Sequence, residues 1–106
     1  MHAVLRHIGV LAVAAAALGV SGAVAADANH GAELAKRWCA TCHLVDRDQK
    51  QASADVLPFA TIAHKPDFSA DKLAFFLLDP HPKMPSFPLS RIEAGDIAAY
   101  IKSLAN

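Results

Sequence analysis

Two thiols and an imidazole stand together in Cys39-Ala40-Thr41-Cys42-His43, and the chain has no other cysteine. C-x-x-C-H is the attachment pattern of c-type haem. Two thiols three positions apart at a helix end can each add to one vinyl group of a single porphyrin. The next residue then projects its imidazole toward the iron. Three other chemistries use the same residue types. Trp38 completes W-C-x-x-C, a thiol-disulfide pattern, but such a site normally follows the first strand of a βαβ unit, whereas a helical stretch precedes this one. Zinc requires a fourth ligand, and no second Cys pair or H-x3-H spacing offers it. A disulfide between Cys39 and Cys42 would close almost no loop and leaves His43 unexplained. Haem is the preferred reading, with thiol chemistry as the alternative.

Met84 is the second candidate, and apart from Met1 it is the sole methionine. It lies in PHPKMPSFP, whose prolines at 80, 82, 85 and 88 exclude helix and central strand. Methionine usually fills gaps on an apolar helix stripe, and this one does not. Held by Pro82 and Pro85, its thioether is the expected iron ligand opposite His43, a pairing that raises the reduction potential relative to harder ligands. His81 is the rival ligand, and His30 and His64 are weaker ones that read as solvated surface residues.

The elements that must position these groups read as helices. GAELAKRWCATCH, from Gly31, has good helix formers and brings the cysteines to its end. From Leu44 to Pro66 the period is lost, and a loop of that length usually wraps something. Ser69 is an N-cap for SADKLAFFLLD, where Leu73, Phe76 and Leu77 define an apolar face. Ser90 and Glu93 form a capping box opening a last helix with Ile97, Tyr100, Ile101 and Leu104 on one face. No stretch alternates with period two for long enough to be a strand, so the class is all-α.

Residues 1–26 read as a secretory leader: Arg6, the uncharged run Ile8 to Val20, then small residues before Asp27. Ala23-Val24-Ala25 satisfies the cleavage rule, and so does a cut after Ala26. The apolar run is shorter than the about 20 residues a membrane span needs, so stable membrane insertion after cleavage is not expected. The remaining domain, 27–106, is too small to build a large core alone, and a cofactor is the natural staple. It holds nine Lys and Arg against ten acids with no basic run, so nucleic acid is not an expected partner.

Taken in order, the helix opened by Gly31, Cys39-x-x-Cys42-His43, a proline-bearing loop, the Met84-Pro85 loop after a middle helix and a last helix reading DIAAYIKSL resemble class I cytochromes c, the small monohaem bacterial kind. The resemblance implies a cytochrome c-like fold of three to four helices wrapped around one covalent haem c. It also implies that the first and last helices cross, with Gly31 near the Tyr100 region, and that the Pro58 carbonyl accepts a hydrogen bond from the His43 ring. Two positions depart from the family pattern: Ala35 stands where many members carry an aromatic, and Leu57-Pro58 replaces Gly-Pro. The expected function is one-electron transfer in the periplasm by a monomer, between redox partners such as an exported dehydrogenase, oxidase or reductase. An iron saturated by His43 and Met84 does no bond chemistry, so the expectation is a carrier and not an enzyme. The alternatives are a haem-bearing subunit docked on an exported dehydrogenase, a gas-binding or peroxidatic cytochrome with an open iron position, and a thiol-disulfide protein using Cys39 and Cys42.

Overall fold

The computed structural model of the chain describes residues 9, 11–14, 25–53, 55–80 and 83–106. The leader expected over 1–26 lies mostly outside these residues, as does His81. Four helices follow one another: α1 (Ala28–Trp38), α2 (Phe59–Ala63), α3 (Ala70–Leu78) and α4 (Arg91–Ser103). No strand occurs among the described residues. The class is all-α, and no helix among the described residues is long and apolar enough to cross a membrane.

Each helix begins at a residue in extended conformation, and in α1, α3 and α4 the side chain of that residue accepts from the first turn. In α1 the Asp27 carboxylate accepts from the backbone N–H of Asn29 and of His30, so the helix starts three residues before Gly31. The polar run before Gly31 hid that start from a reading based on apolar period. Ser69 caps α3 through the Lys72 N–H. Both bonds of the capping box open α4: Glu93 N–H to Ser90 Oγ at 3.0 Å and Ser90 N–H to Glu93 Oε1 at 2.9 Å. The short α2 was not expected within the 44–66 loop. Its cap is Pro58, in extended conformation with no side-chain bond, and five residues give too little period to detect.

α4 is the hub, because α1, α2 and α3 all pack on it. Ile97 and Ile101 are fully buried there, with Leu34 and Ala35 from α1, Phe59 and Ala63 from α2 and Leu77 from α3. α3 turns Leu77 inward, with Leu73 and Ala74 packed on the core. Phe76, expected on the inner face, is 39% exposed. The buried stripe is Leu73-Ala74-Leu77, which a 3.6-residue repeat supports as well as the stripe containing Phe76.

The crossing of α1 and α4 is backbone against backbone. A Cβ added at Gly31 would stand 1.9 Å from the Asp96 carbonyl oxygen and 2.9 Å from the Ile97 nitrogen. The close approach is thus at Asp96 and Ile97, one turn earlier than the expected Tyr100 region. Ala35, with no exposed surface, and Ala94 and Ala98 on α4 are also small and buried. Tyr100 does other work: its hydroxyl donates to the Val45 carbonyl at 2.5 Å and ties α4 to the loop after His43.

Candidate functional site

α1 delivers the C-x-x-C-H run. Cys39 is its C-cap, and the chain then turns tightly, with the N–H groups of Cys42 and His43 both donating to the Cys39 carbonyl. The two thiols are free; Cys39 is buried and Cys42 exposed. Burial, helped by the neighbouring Cys42, pushes the Cys39 thiol up to about 11. A C-x-x-C redox site works with a lowered thiol pKa, the opposite of this environment. Among the described residues no three His, Cys, Asp or Glu side chains gather as a metal site.

The His43 ring is held by α2 and the residue two before it. Its Nδ1 lies 2.6 Å from the Leu57 carbonyl oxygen, and the Phe59 ring tilts against it at 5.2 Å between centroids. A carbonyl only accepts, so Nδ1 carries the proton and Nε2 of the neutral ring presents a bare lone pair. This corrects the expected acceptor. The Pro58 carbonyl is taken by the Ile62 N–H in the first turn of α2, and the carbonyl one residue earlier faces His43. A residue preceding proline is pushed to extended backbone, which keeps the Leu57 carbonyl out of the helix it precedes.

Met84 is half-buried and packs against the same apolar cluster that contains Cys39. Its loop is pinned to the end of α1. The Phe87 ring lies 5.5 Å from Trp38, the residue before Cys39, and the Arg37 guanidinium covers Trp38 at 5.0 Å from the ring centroid. Trp38 therefore joins the two halves of the candidate site, a role its position in W-C-x-x-C did not reveal.

Gln49 is the residue that sequence reasoning missed. Its amide nitrogen lies 2.8 Å from the Ala40 carbonyl, 2.8 Å from the His43 carbonyl and 2.9 Å from the Gln51 carbonyl. Its Oε1 accepts from the Val45 N–H at 2.9 Å. Asp46 sets it there, because Asp46 Oδ1 accepts from the N–H groups of Asp48 and Gln49 in a side-chain-closed turn. The polar DRDQKQ stretch is thus a built clamp on the C-x-x-C-H turn. The only available signal was an Asx-turn residue three positions before a glutamine.

Comparison with known proteins shows the family. The family model described as cytochrome C oxidase, cbb3-type, subunit III matches residues 26–101. The chain is 68% identical over 104 residues to cytochrome c-552 of Bradyrhizobium diazoefficiens, a match covering 98% of each chain. No solved structure matches it. The two thiols, the imidazole with its fixed tautomer and the ordered helices thus occur in a chain that belongs to the cytochrome c family, a small c-type cytochrome whose cofactor is covalently bound haem c and whose trade is electrons.

Proposed function

We propose that the chain is a periplasmic one-electron carrier, exported by its leader 1–26, that holds one haem through Cys39 and Cys42 with His43 and Met84 as iron ligands. The donor set fits that group: two free thiols three positions apart, an imidazole next to the second, and a thioether packed on the apolar cluster that contains Cys39. The observation that carries the reading is the bond from His43 Nδ1 to Leu57, which leaves Nε2 as a ligand lone pair. When bound, the haem supplies a ferric/ferrous couple. The protein's residues contribute orientation. Leu57 and Phe59 hold the His43 ring, Gln49 fixes the backbone on both sides of Cys42, and the Trp38–Phe87 contact tethers the Met84 loop. Parts fixed beforehand need little rearrangement when charge changes, which favours rapid transfer.

The test is the absorption spectrum of protein from a host that attaches c-type haem, oxidised and reduced, with Met84→Ala beside it. Covalent haem with the weak far-red ferric band of sulfur ligation, lost in Met84→Ala, is the expected result. Covalent haem without that band would reassign the second ligand to His81 or leave the position open. No covalent haem would overturn the reading and return attention to thiol chemistry.

Lys36, Arg37 and Lys83 are exposed beside the two motifs and form the proposed electrostatic docking edge. Lys36→Glu with Lys83→Glu should flatten or invert the salt dependence of the electron-transfer rate to an acidic partner. An unchanged slope removes this patch from the account. The oxidase subunit named in the family description makes a docked haem subunit the second reading. Gel filtration of native extract separates the two, since a docked subunit elutes with its large partner.

A further inference from the structure

Asp96 is the one buried charged side chain among the described residues, at 3% exposure. It sits on α4 at the crossing with α1. Its Oδ1 accepts from the backbone nitrogen of Asp27 at 2.7 Å, and its Oδ2 meets His30 Nδ1 at 2.8 Å. Burial alone would push the Asp96 carboxyl up, but the bonds from His30 and Asp27 outweigh it and hold the group below the usual range. A buried carboxylate is costly unless a cation offsets it. His30, whose side chain is 44% exposed, supplies that charge only while protonated. The other partner is a neutral peptide N–H, at a distance typical of charge-assisted bonds.

That nitrogen belongs to the first residue after the leader. Ala25 and Ala26 are exposed and non-helical, so the Ala26–Asp27 bond is open to a peptidase. We propose that the leader is cut after Ala26 and that the α-ammonium so created on Asp27 becomes a permanent ion-pair partner of Asp96, closing the α1–α4 crossing. The inference rests on the export reading above. Hydrolysis of that peptide bond consumes one water and leaves a carboxylate on Ala26 and the ammonium on Asp27. The Asp27 side chain continues to cap α1 and offsets the new positive charge at the helix N-terminus. A cut one residue earlier would leave Asp27 with its amide and place the ammonium on exposed Ala26.

The consequence is a pH dependence with a definite sign. The groups facing the pair are Asp27, His30 and Glu33 from α1 and Glu93 and Asp96 from α4. Asp96 raises the folded pKa of the ammonium above its unfolded value of about 7.7–8.0. Its contribution is therefore fully present below that value and is lost as pH rises through the folded pKa. His30 is also raised, chiefly by its hydrogen bond to Asp96, so its share is complete below about 6.5 and is lost as pH rises through its raised folded pKa.

The experiment takes the exported holoprotein, measures its intact mass, and follows its melting temperature from about pH 7 to about pH 9.5. Asp96→Asn, His30→Gln and a chain with its leader altered to leave one extra alanine before Asp27 run beside it. The expected mass begins at Asp27. The alkaline loss of melting temperature should exceed that of Asp96→Asn and of the extended chain by about 4–8 °C, and His30→Gln should retain that excess. The extended chain keeps Asp96, so the comparison survives if Asp96→Asn folds poorly. A mature chain beginning elsewhere overturns the proposal, as does an equal alkaline loss in the extended chain. A retained leader overturns the export reading with it, whereas a cut at another bond leaves that reading standing.

Discussion

Gly31→Ala is expected to destabilise the domain by about 3 kcal/mol or more, lowering its melting temperature by roughly 12–24 °C. The added Cβ would lie 1.9 Å from the Asp96 oxygen and 2.4 Å from the Asp96 carbon. Both are backbone atoms, so no side-chain rotation relieves the contact. α1 and α4 must separate instead, and that opens the close-packed layer containing Leu34, Ala35, Ile97 and Ile101. A domain of this size has only about 4–12 kcal/mol of total stability, so the loss is a large share of it. Gly95→Ala is the internal control. It is also helical, but nothing lies within 4 Å of its added Cβ. There alanine should stabilise by about 0.5–1 kcal/mol through helix propensity. Thermal melts of the two holoproteins check the pair, and equal effects would mean that the crossing is looser than the geometry requires.

What the sequence made legible follows from how local each signal is. Cys39, Cys42 and His43 are contiguous, and Ser90 and Glu93 lie one helical turn apart, so each pattern states its own geometry. The α1 ending at the cysteines was legible for the same reason. What escaped is contact between distant segments. Whether Leu57 or Pro58 faces the His43 ring depends on how α2 begins, which no local rule decides. Gly31 was expected at a helix crossing, but which turn of α4 it meets is a matter of register between helices 65 residues apart, with Asp96 as the nearest residue. Ala35, standing where many members of the family carry an aromatic, is wholly buried beside the crossing. Where an aromatic would fill space, closer approach of the helices removes the space. Gln49 was hidden because a polar residue in a polar run carries no mark of the carbonyls it serves.

Gln49→Ala should cost about 2–3 kcal/mol, because the Ala40 and His43 carbonyls and the Val45 N–H lose their partner while water replaces it only in part. Simple loss of packing would predict that an isosteric replacement is harmless, and Gln49→Glu distinguishes the two accounts. Glutamate still accepts from the Val45 N–H, but its second oxygen faces three carbonyl oxygens where the amide donated. At neutral pH Gln49→Glu should therefore be less stable than Gln49→Ala, despite its matching shape. Protonation turns the offending oxygen into a donor, so the glutamate's folded pKa is raised. For an acid that sign means stability returns as pH falls through the folded pKa, and melts at descending pH should bring Gln49→Glu up toward the wild type while Gln49→Ala stays behind. Because the clamped Ala40 and His43 carbonyls flank Cys42, both variants should also attach less haem, measured as the ratio of Soret to protein absorbance. A glutamate variant as stable as the wild type at neutral pH would remove Gln49 from the site and leave the C-x-x-C-H turn to its own backbone bonds.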